Sequence, residues 1–210
     1  MSRSPIHVFV RSFFDNFVAA LMMLIGLKRA FHHLHPTPVQ FLTFLFGSLL
    51  TSFTFDFVSE GWPGELQPVG FASYLIPPFL WLVFGIFLTQ RYGVWRLILT
   101  PVIFWLAADI MVGLLQSGIH WAALSQWFPA VLSQWIPYVY PTLFVWPTAA
   151  LMFLFGRQLA WVWWLRVLSV VIAVAVLFGW STIFSDQRLW YAAEVVIPEK
   201  EPHITEEAAF

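Results

Sequence analysis

Five apolar segments, each about 20 residues long, constrain this chain more than any other feature of its sequence. They are residues 39–58, 71–90, 97–115, 138–156 and 167–184. An α-helix needs about 20 mostly apolar residues to cross the hydrocarbon core of a bilayer. Because lipid cannot hydrogen-bond to the backbone, such segments must be helical. The sequence therefore predicts an all-α, polytopic membrane protein with about five transmembrane helices.

The composition agrees with lipid as the solvent of this chain. Of the 210 residues, 60% are hydrophobic and only 10% are charged, whereas soluble domains are about 25% charged. A water-soluble fold of this size could not bury so much apolar surface. We therefore expect the bilayer to be its main partner. The net charge of −1 points to no nucleic-acid partner, and the lack of cysteine excludes thiolate metal sites and disulfides.

The N-terminal segment, residues 1–38, differs from the five spans. Polar residues interrupt the apolar ones over 5–30, and the stretch ends in Lys28 and Arg29. This pattern is typical of an amphipathic helix that lies at the membrane interface with its basic residues toward the headgroups. The alternative is a short sixth span, although residues 17–27 alone are too few to cross.

A short repeat lies between the third and fourth spans, with LSQWFP at 124–129 and LSQWIP at 132–137. A proline every eight residues does not allow a long helix. For residues 116–137 we expect two short helical turns at the membrane interface, anchored by tryptophans. A re-entrant segment is the alternative.

Basic residues alternate between successive loops. Residues 1–38 carry four Lys or Arg, and the loops 59–70, 91–96, 116–137 and 157–166 carry zero, two, zero and two. Cytoplasmic loops are enriched in basic residues. The alternation predicts five spans with the N-terminus inside and the C-terminal tail outside.

Residues 185–210 form the one clearly polar region, with six acidic residues and two prolines. Without apolar periodicity, the sequence predicts a flexible acidic tail or linker here. Thr205 followed by Glu206 and Glu207 is typical of the first turn of a helix. We therefore expect the chain to lead into a further segment.

Asp109 is the strongest candidate for chemistry, because it lies inside the third span. A charged carboxylate at that depth costs about 2.5–3.5 kcal/mol on insertion scales, so an intramembrane acid is a functional hypothesis by default. The structural alternative is a protonated or hydrogen-bonded side chain that helps the helices pack. Asp56 lies near the outer end of the first span, and we expect it to reach water or headgroups. His120, in the outer loop, could pair with Asp109 and make a proton path.

Three histidines lie close together before the first span, at His32, His33 and His35. Because Pro36 disfavours a helix at His35, the sequence predicts a headgroup-facing polar patch rather than a metal site. No glycine-rich phosphate loop, nucleophile elbow or zinc-protease motif occurs. We therefore expect no catalytic site and no cofactor in this chain.

Residues 17–88 combine a basic apolar leader, a first span that ends in aspartate, a glycine-containing outer turn and a second span. With the tail from Arg188 onward, this pattern resembles the N-terminal membrane region of bacterial legumain-family cysteine peptidases. The resemblance implies a bacterial inner membrane, a periplasmic tail and a peptidase domain beyond Phe210. The catalytic His-Gly and Cys of that family have no counterpart here, since His120 precedes Trp121 and the chain has no cysteine.

These observations leave three functional hypotheses. The first is a membrane anchor or scaffold domain that holds an outer-face domain or protein partner. The alternative is a small transporter or channel subunit that uses Asp109; five spans are few for a monomer, so it would form a homo-oligomer. An intramembrane enzyme lacks an acid–base pair to start from.

Overall fold

The structure, a computed structural model, describes residues 4–124, 134–184 and 188–192. These ranges contain seven α-helices and one two-stranded antiparallel ribbon. The helices are α1 (Pro5–Leu24), α2 (Ala30–His33), α3 (Pro38–Glu60), α4 (Pro68–Tyr92), α5 (Thr100–Leu124), α6 (Ile136–Gln158) and α7 (Trp163–Ile183), and the strands are β1 (Gly64–Leu66) and β2 (Trp190–Ala192). The all-α fold class predicted from the sequence is confirmed.

Local signals in the sequence set the ends of these helices. Five of them carry proline in the first turn, where the missing N–H has no intrahelical partner to lose. Ser4 and Thr37 cap α1 and α3, each accepting a backbone N–H three residues on. Helix α4 ends at Gly93, whose φ of 69° is the left-handed conformation that favours glycine.

Among the described residues, five helical stretches are long and apolar enough to cross a membrane: α1, α3, α4, Trp95–Ala123 and α7. They include α1, which we predicted as interfacial. Helix α6 contains the predicted span 138–156. Helix α6 is 23 residues long, about 34 Å.

Helix α5 is the centre of the bundle and contacts α1, α3, α4 and α6, while α7 packs mainly on α6. Residues 101–108 are all buried, as expected for a helix that is apolar on every side. Short connections place successive long helices antiparallel. The starts of α3, α5 and α7 and the ends of α4 and α6 therefore share one end of the bundle. We name it the basic end, after Arg91, Arg96, Arg157 and Arg166.

Helix α1 packs against the half of the bundle nearest the basic end. Near its start, Gln40 Nε2 donates to the carbonyl of Phe9 (3.2 Å); just beyond its end, Arg157 Nη1 donates to the carbonyl of Gly26 (3.1 Å). Gln40 begins α3 and Arg157 ends α6, so both partners lie at the same end. A 20-residue helix is about 30 Å long, and a spanning helix would reach both ends. Trp146 Nε1, near the middle of α6, donates to the carbonyl of Leu24 (2.9 Å), so the end of α1 reaches toward the middle of the bundle while its start stays at the basic end.

One predicted boundary needs correction. Helix α5 continues to Leu124 rather than ending near 115, because no proline interrupts the chain before Pro129. Residues 116–124, predicted as part of an interfacial loop, are therefore helical. Residues 125–133, which hold most of the repeat, and 193–210 of the tail lie outside the described residues.

Candidate functional site

A cavity of about 490 Å³, lined by both polar and aromatic side chains, lies between the long helices, away from the basic end. Helices α3, α4, α5, α6 and α7 all contribute to its lining. Its deepest polar groups, on Ser48 and Asp109, lie near the middle of α3 and α5. At the other end it reaches Ser59 and Arg188. It therefore runs from the middle of the bundle to the end opposite the basic end.

Two helical stripes supply half of the polar side chains in the lining. On α5, the cavity residues Asp109, Gly113, Gln116 and His120 follow the i, i+4, i+7, i+11 spacing of one helix face. On α3 the same spacing links Ser48, Ser52, Phe55 and Ser59. The two faces approach closely because glycines replace side chains between them. A Cβ on Gly113 would lie 2.7 Å from Thr51 Cγ2, a distance that real contacts do not allow.

Asp109 lies at the deep end of the cavity and has little compensation for its charge. Ser48 Oγ donates to its Oδ2 at 2.6 Å, a length typical of a hydroxyl bonded to a carboxylate. Within the described ranges it forms no ion pair. Its neighbours Ala108 and Ile110 are buried, whereas Asp109 is partly accessible. The cavity therefore gives this carboxylate a route to solvent that its neighbours lack.

The chain that follows α7 returns to the bundle and forms what we name the clamp, residues 188–192 with β1. Strand β2 pairs with β1 in the register Gly64↔Ala192, Glu65↔Tyr191 and Leu66↔Trp190. This corrects the prediction that the tail is flexible from residue 185, since its first described residues are ordered. The pairing joins positions more than 120 residues apart, so local sequence patterns could not predict it. We name this end of the bundle the clamp end.

Asp56, on α3, contacts the clamp and also lines the cavity. Its Oδ2 accepts the backbone N–H of Leu189 (2.8 Å), and Tyr74 Oη donates to the same carboxylate at 3.2–3.3 Å. Arg188, whose guanidinium pairs with Glu60, lines the cavity beside it. Asp56 is only 3% exposed, so the expectation that it reaches water or headgroups was wrong. Clamp backbone takes the place of water.

Aromatic packing completes the clamp. The indole of Trp190 lies against Phe53 (5.7 Å between ring centroids) and Phe57 (5.4 Å) on α3, and its Nε1 donates to the carbonyl of Gly61 (3.0 Å). The backbone at Arg188 passes directly over Gly70 at the start of α4, where any Cβ would collide with it. The clamp is therefore seated on α3 and α4 by shape and by hydrogen bonds.

His120 lines the same cavity as Asp109, but the two do not touch. They are 11 residues apart on one face of α5, about 16 Å along the helix axis. The His120 ring packs against Phe55, with 5.9 Å between ring centroids. Sequence reasoning placed His120 in a loop, whereas the structure places it on the helix. A proton path between the two residues would need intermediate groups at the level of Gln116.

The histidines near the N-terminus lie at the basic end, away from the cavity. His35 Nε2 pairs with Asp15 Oδ2 at 3.4 Å, and the buried Asn16 side chain holds both backbone groups of His35. In the part of the chain that the structure describes, no group of three or more His, Cys, Asp or Glu residues could hold a metal ion.

Comparisons with protein-family models, curated proteins and solved structures give no match to this chain. Its function is therefore inferred from the geometry of the cavity and the clamp. Of the three polar residues singled out in the sequence, all line one cavity. Ser48, Tyr74 and Gln116 were missed, although a polar stripe at helical spacing on an apolar helix was a signal for the first and last.

Proposed function

We propose that this chain is a membrane anchor and scaffold that holds the polypeptide after α7, and the outer-face domain or partner joined to it, at a fixed position. The clamp is the observation that carries the proposal. A connection that served only as a tether would need no paired strand, no buried aspartate and no tryptophan seated on α3. Here all three fix the chain at residues 188–192.

The clamp is held by the bundle rather than by its own strands. An isolated two-stranded ribbon is marginally stable at best, and each strand here has three residues. Hydrogen bonds contribute about 1 kcal/mol each, and those to charged groups about 1.5–3 kcal/mol. The contacts of Asp56 with Leu189 N and of Trp190 with Gly61 therefore supply stability that the ribbon lacks.

The proposal places the clamp end on the outer, periplasmic side of a bacterial inner membrane. The charge pattern supports it, because the loops at the basic end carry the arginines and cytoplasmic loops are enriched in basic residues. Both ends also carry highly exposed tryptophans, Trp95 and Trp163 at the basic end and Trp62 and Trp121 at the other. Two such belts are typical of a bundle that crosses a bilayer.

The resemblance to legumain-family peptidases suggests which domain the scaffold holds, namely a periplasmic cysteine peptidase domain. Nothing in this chain supplies that chemistry, because it contains no cysteine and no histidine followed by glycine. The role proposed for the membrane domain is to fix the position of that peptidase domain.

Single-cysteine labelling tests the proposal, because the chain has no cysteine of its own. We expect a membrane-impermeant maleimide to label Ala192→Cys in intact cells but not Val162→Cys, its control at the basic end. A nitroxide on Ala192→Cys should give the spectrum of an immobilised label, which becomes mobile when Asp56→Ala is added. Labelling of Val162→Cys alone, or a mobile label without the second substitution, contradicts the proposal.

A second candidate, the oligomeric transporter or channel subunit, is favoured by the depth of the cavity. The cavity brings an accessible carboxylate to the middle of the bundle, where a pure anchor has no use for one. Asp109→Asn separates the two functions. An anchor keeps membrane insertion and an immobilised clamp in this variant, whereas a carrier that depends on Asp109 loses solute flux in proteoliposomes.

A further inference from the structure

We propose that the cavity is a binding site for a small organic monocation, an alkyl or aryl ammonium, with Asp109 as its counter-charge. The proposal does not require the anchor function, because the deep part of the cavity around Asp109 and Ser48 lies away from the clamp. It deepens the second candidate function by naming the class of ligand, but it requires only binding and not transport.

The charge of the ligand follows from the two carboxylates in the cavity wall. Asp56 is already compensated by Tyr74 and by the clamp backbone, with Arg188 nearby. Among the residues that the structure describes, Asp109 has only the Ser48 hydroxyl as a partner. A buried charge without a partner is costly. Asp109 therefore favours a positively charged ligand, whereas the carboxylate of Asp56 is already bonded within the protein.

The walls favour an organic cation over a metal ion. Aromatic side chains of Phe55, Tyr74, Trp105, Phe144 and Trp180 line the cavity, and the face of an aromatic ring attracts an ammonium group by about 0.5–2 kcal/mol. Calcium and magnesium instead prefer six or more oxygen ligands. Asp109 and Ser48 offer too few, and Thr51 Oγ1 is engaged with the carbonyl of Gly47.

The size and position of the cavity set the dimensions of the ligand. Its volume of about 490 Å³ lies within the 300–1,000 Å³ typical of small-molecule sites. Entry from the clamp end passes Arg188, whose charge is offset by Glu60 and the neighbouring Asp56. His120 is the other group on the wall that can become positive. Neither contacts Asp109, so the deep part of the cavity stays selective for positive charge.

Binding of benzyltrimethylammonium to the full chain in nanodiscs tests the proposal. Neopentylbenzene is its neutral counterpart of the same shape, and benzenesulfonate is an anionic counterpart. Trp105 and Trp180 in the wall provide a fluorescence signal, and calorimetry provides a second readout. We expect saturable binding of the cation, with both counterparts at least 10-fold weaker.

Variants decide whether that binding uses Asp109. Asp109→Asn should weaken cation binding at least 10-fold, whereas Asp15→Asn at the basic end should leave it unchanged. If Asp109→Asn does not fold, Ser52→Trp, which fills the cavity without replacing the carboxylate, should abolish binding. Equal affinity for the neutral compound, tighter binding of the sulfonate, or a cation site that survives these cavity variants overturns the proposal. None of these outcomes affects the mobility test of the clamp.

Discussion

Two aspartates in the same cavity wall differ in their hydrogen-bond partners and in their exposure. Asp56, at the clamp end, is bonded to Tyr74 and Leu189 and is almost fully buried. Asp109, in the middle of the bundle, has one hydroxyl partner and remains partly accessible. The difference is one of compensation: the first carboxylate is bonded to distant parts of the chain, and the second is the one on which the proposed ligand site depends.

The comparison also explains why the free-energy cost of inserting an acid into the membrane does not by itself show which aspartate has a structural role. An acid within a membrane segment is expensive wherever it lies, and it is tolerated when something compensates it. At Asp56 the compensation is a distant part of the same chain. At Asp109 most of it must come from a proton, water or a ligand in the cavity.

The largest expected effect is that of Asp56→Ala. The substitution leaves Leu189 N and Tyr74 Oη without their acceptor, and each buried unsatisfied group costs about 1–3 kcal/mol. We expect a loss of about 2–4 kcal/mol, seen as a lower midpoint of thermal unfolding in detergent. Asp109→Ala is the comparator. An equal or larger loss for Asp109→Ala would erase the distinction between the two carboxylates.

Gly113→Leu should have the next largest effect, because Thr51 on α3 leaves no room for a side chain there. Overpacking of this kind costs about 1–3 kcal/mol, and separating α3 from α5 also breaks the Ser48–Asp109 hydrogen bond. Gly118→Leu on the same helix is the control, since nothing lies within 4 Å of a Cβ at that position. The same unfolding midpoint for both variants would show that α3 and α5 are not in contact.

Tyr74→Phe should cost about 1 kcal/mol, because one donor to Asp56 is lost while the ring remains. Combined with Asp56→Ala it should add little, since the two side chains share one interaction. A double-variant cycle on thermal unfolding measures this coupling. Full additivity would mean that the Tyr74 hydroxyl does not stabilise Asp56.

Asp109→Asn should have the smallest effect on stability, under about 1 kcal/mol. An amide oxygen still accepts from Ser48 Oγ, and no ion pair among the described residues is lost. The unfolding midpoint should therefore stay within a few degrees of the parent value. A loss as large as that of Asp56→Ala would show that Asp109 is a structural residue.

Much of the bundle was predictable because lipid imposes a simple rule on sequence. Apolar runs of about 20 residues become helices, and α3, α4 and α7 begin and end within a few residues of the predicted spans. The end of α5 was missed because hydropathy falls at Gln116 and His120, although these residues continue the helix. They face the cavity rather than lipid or a loop.

The site itself was predictable only in part. Asp56, Asp109 and His120 stand out as polar residues among apolar ones, and the structure gathers all three around one cavity. Which helix faces meet depends on packing that periodicity does not encode. The clamp was hidden for a different reason: Leu189 and Trp190 read as part of a polar tail, and their partners lie more than 120 positions earlier in the chain.

Oxidative cross-linking within the clamp tests the account most directly. Glu65 and Tyr191 are paired across the ribbon, and no native thiol competes. In native membranes, Glu65→Cys combined with Tyr191→Cys should form an intramolecular disulfide in nearly all molecules, visible as faster migration on a non-reducing gel. Glu65→Cys combined with Val162→Cys, at the basic end, should form none. If the first pair stays reduced under oxidant, or the second pair forms a disulfide as readily, the segment after α7 is not fixed to the bundle where the structure places it.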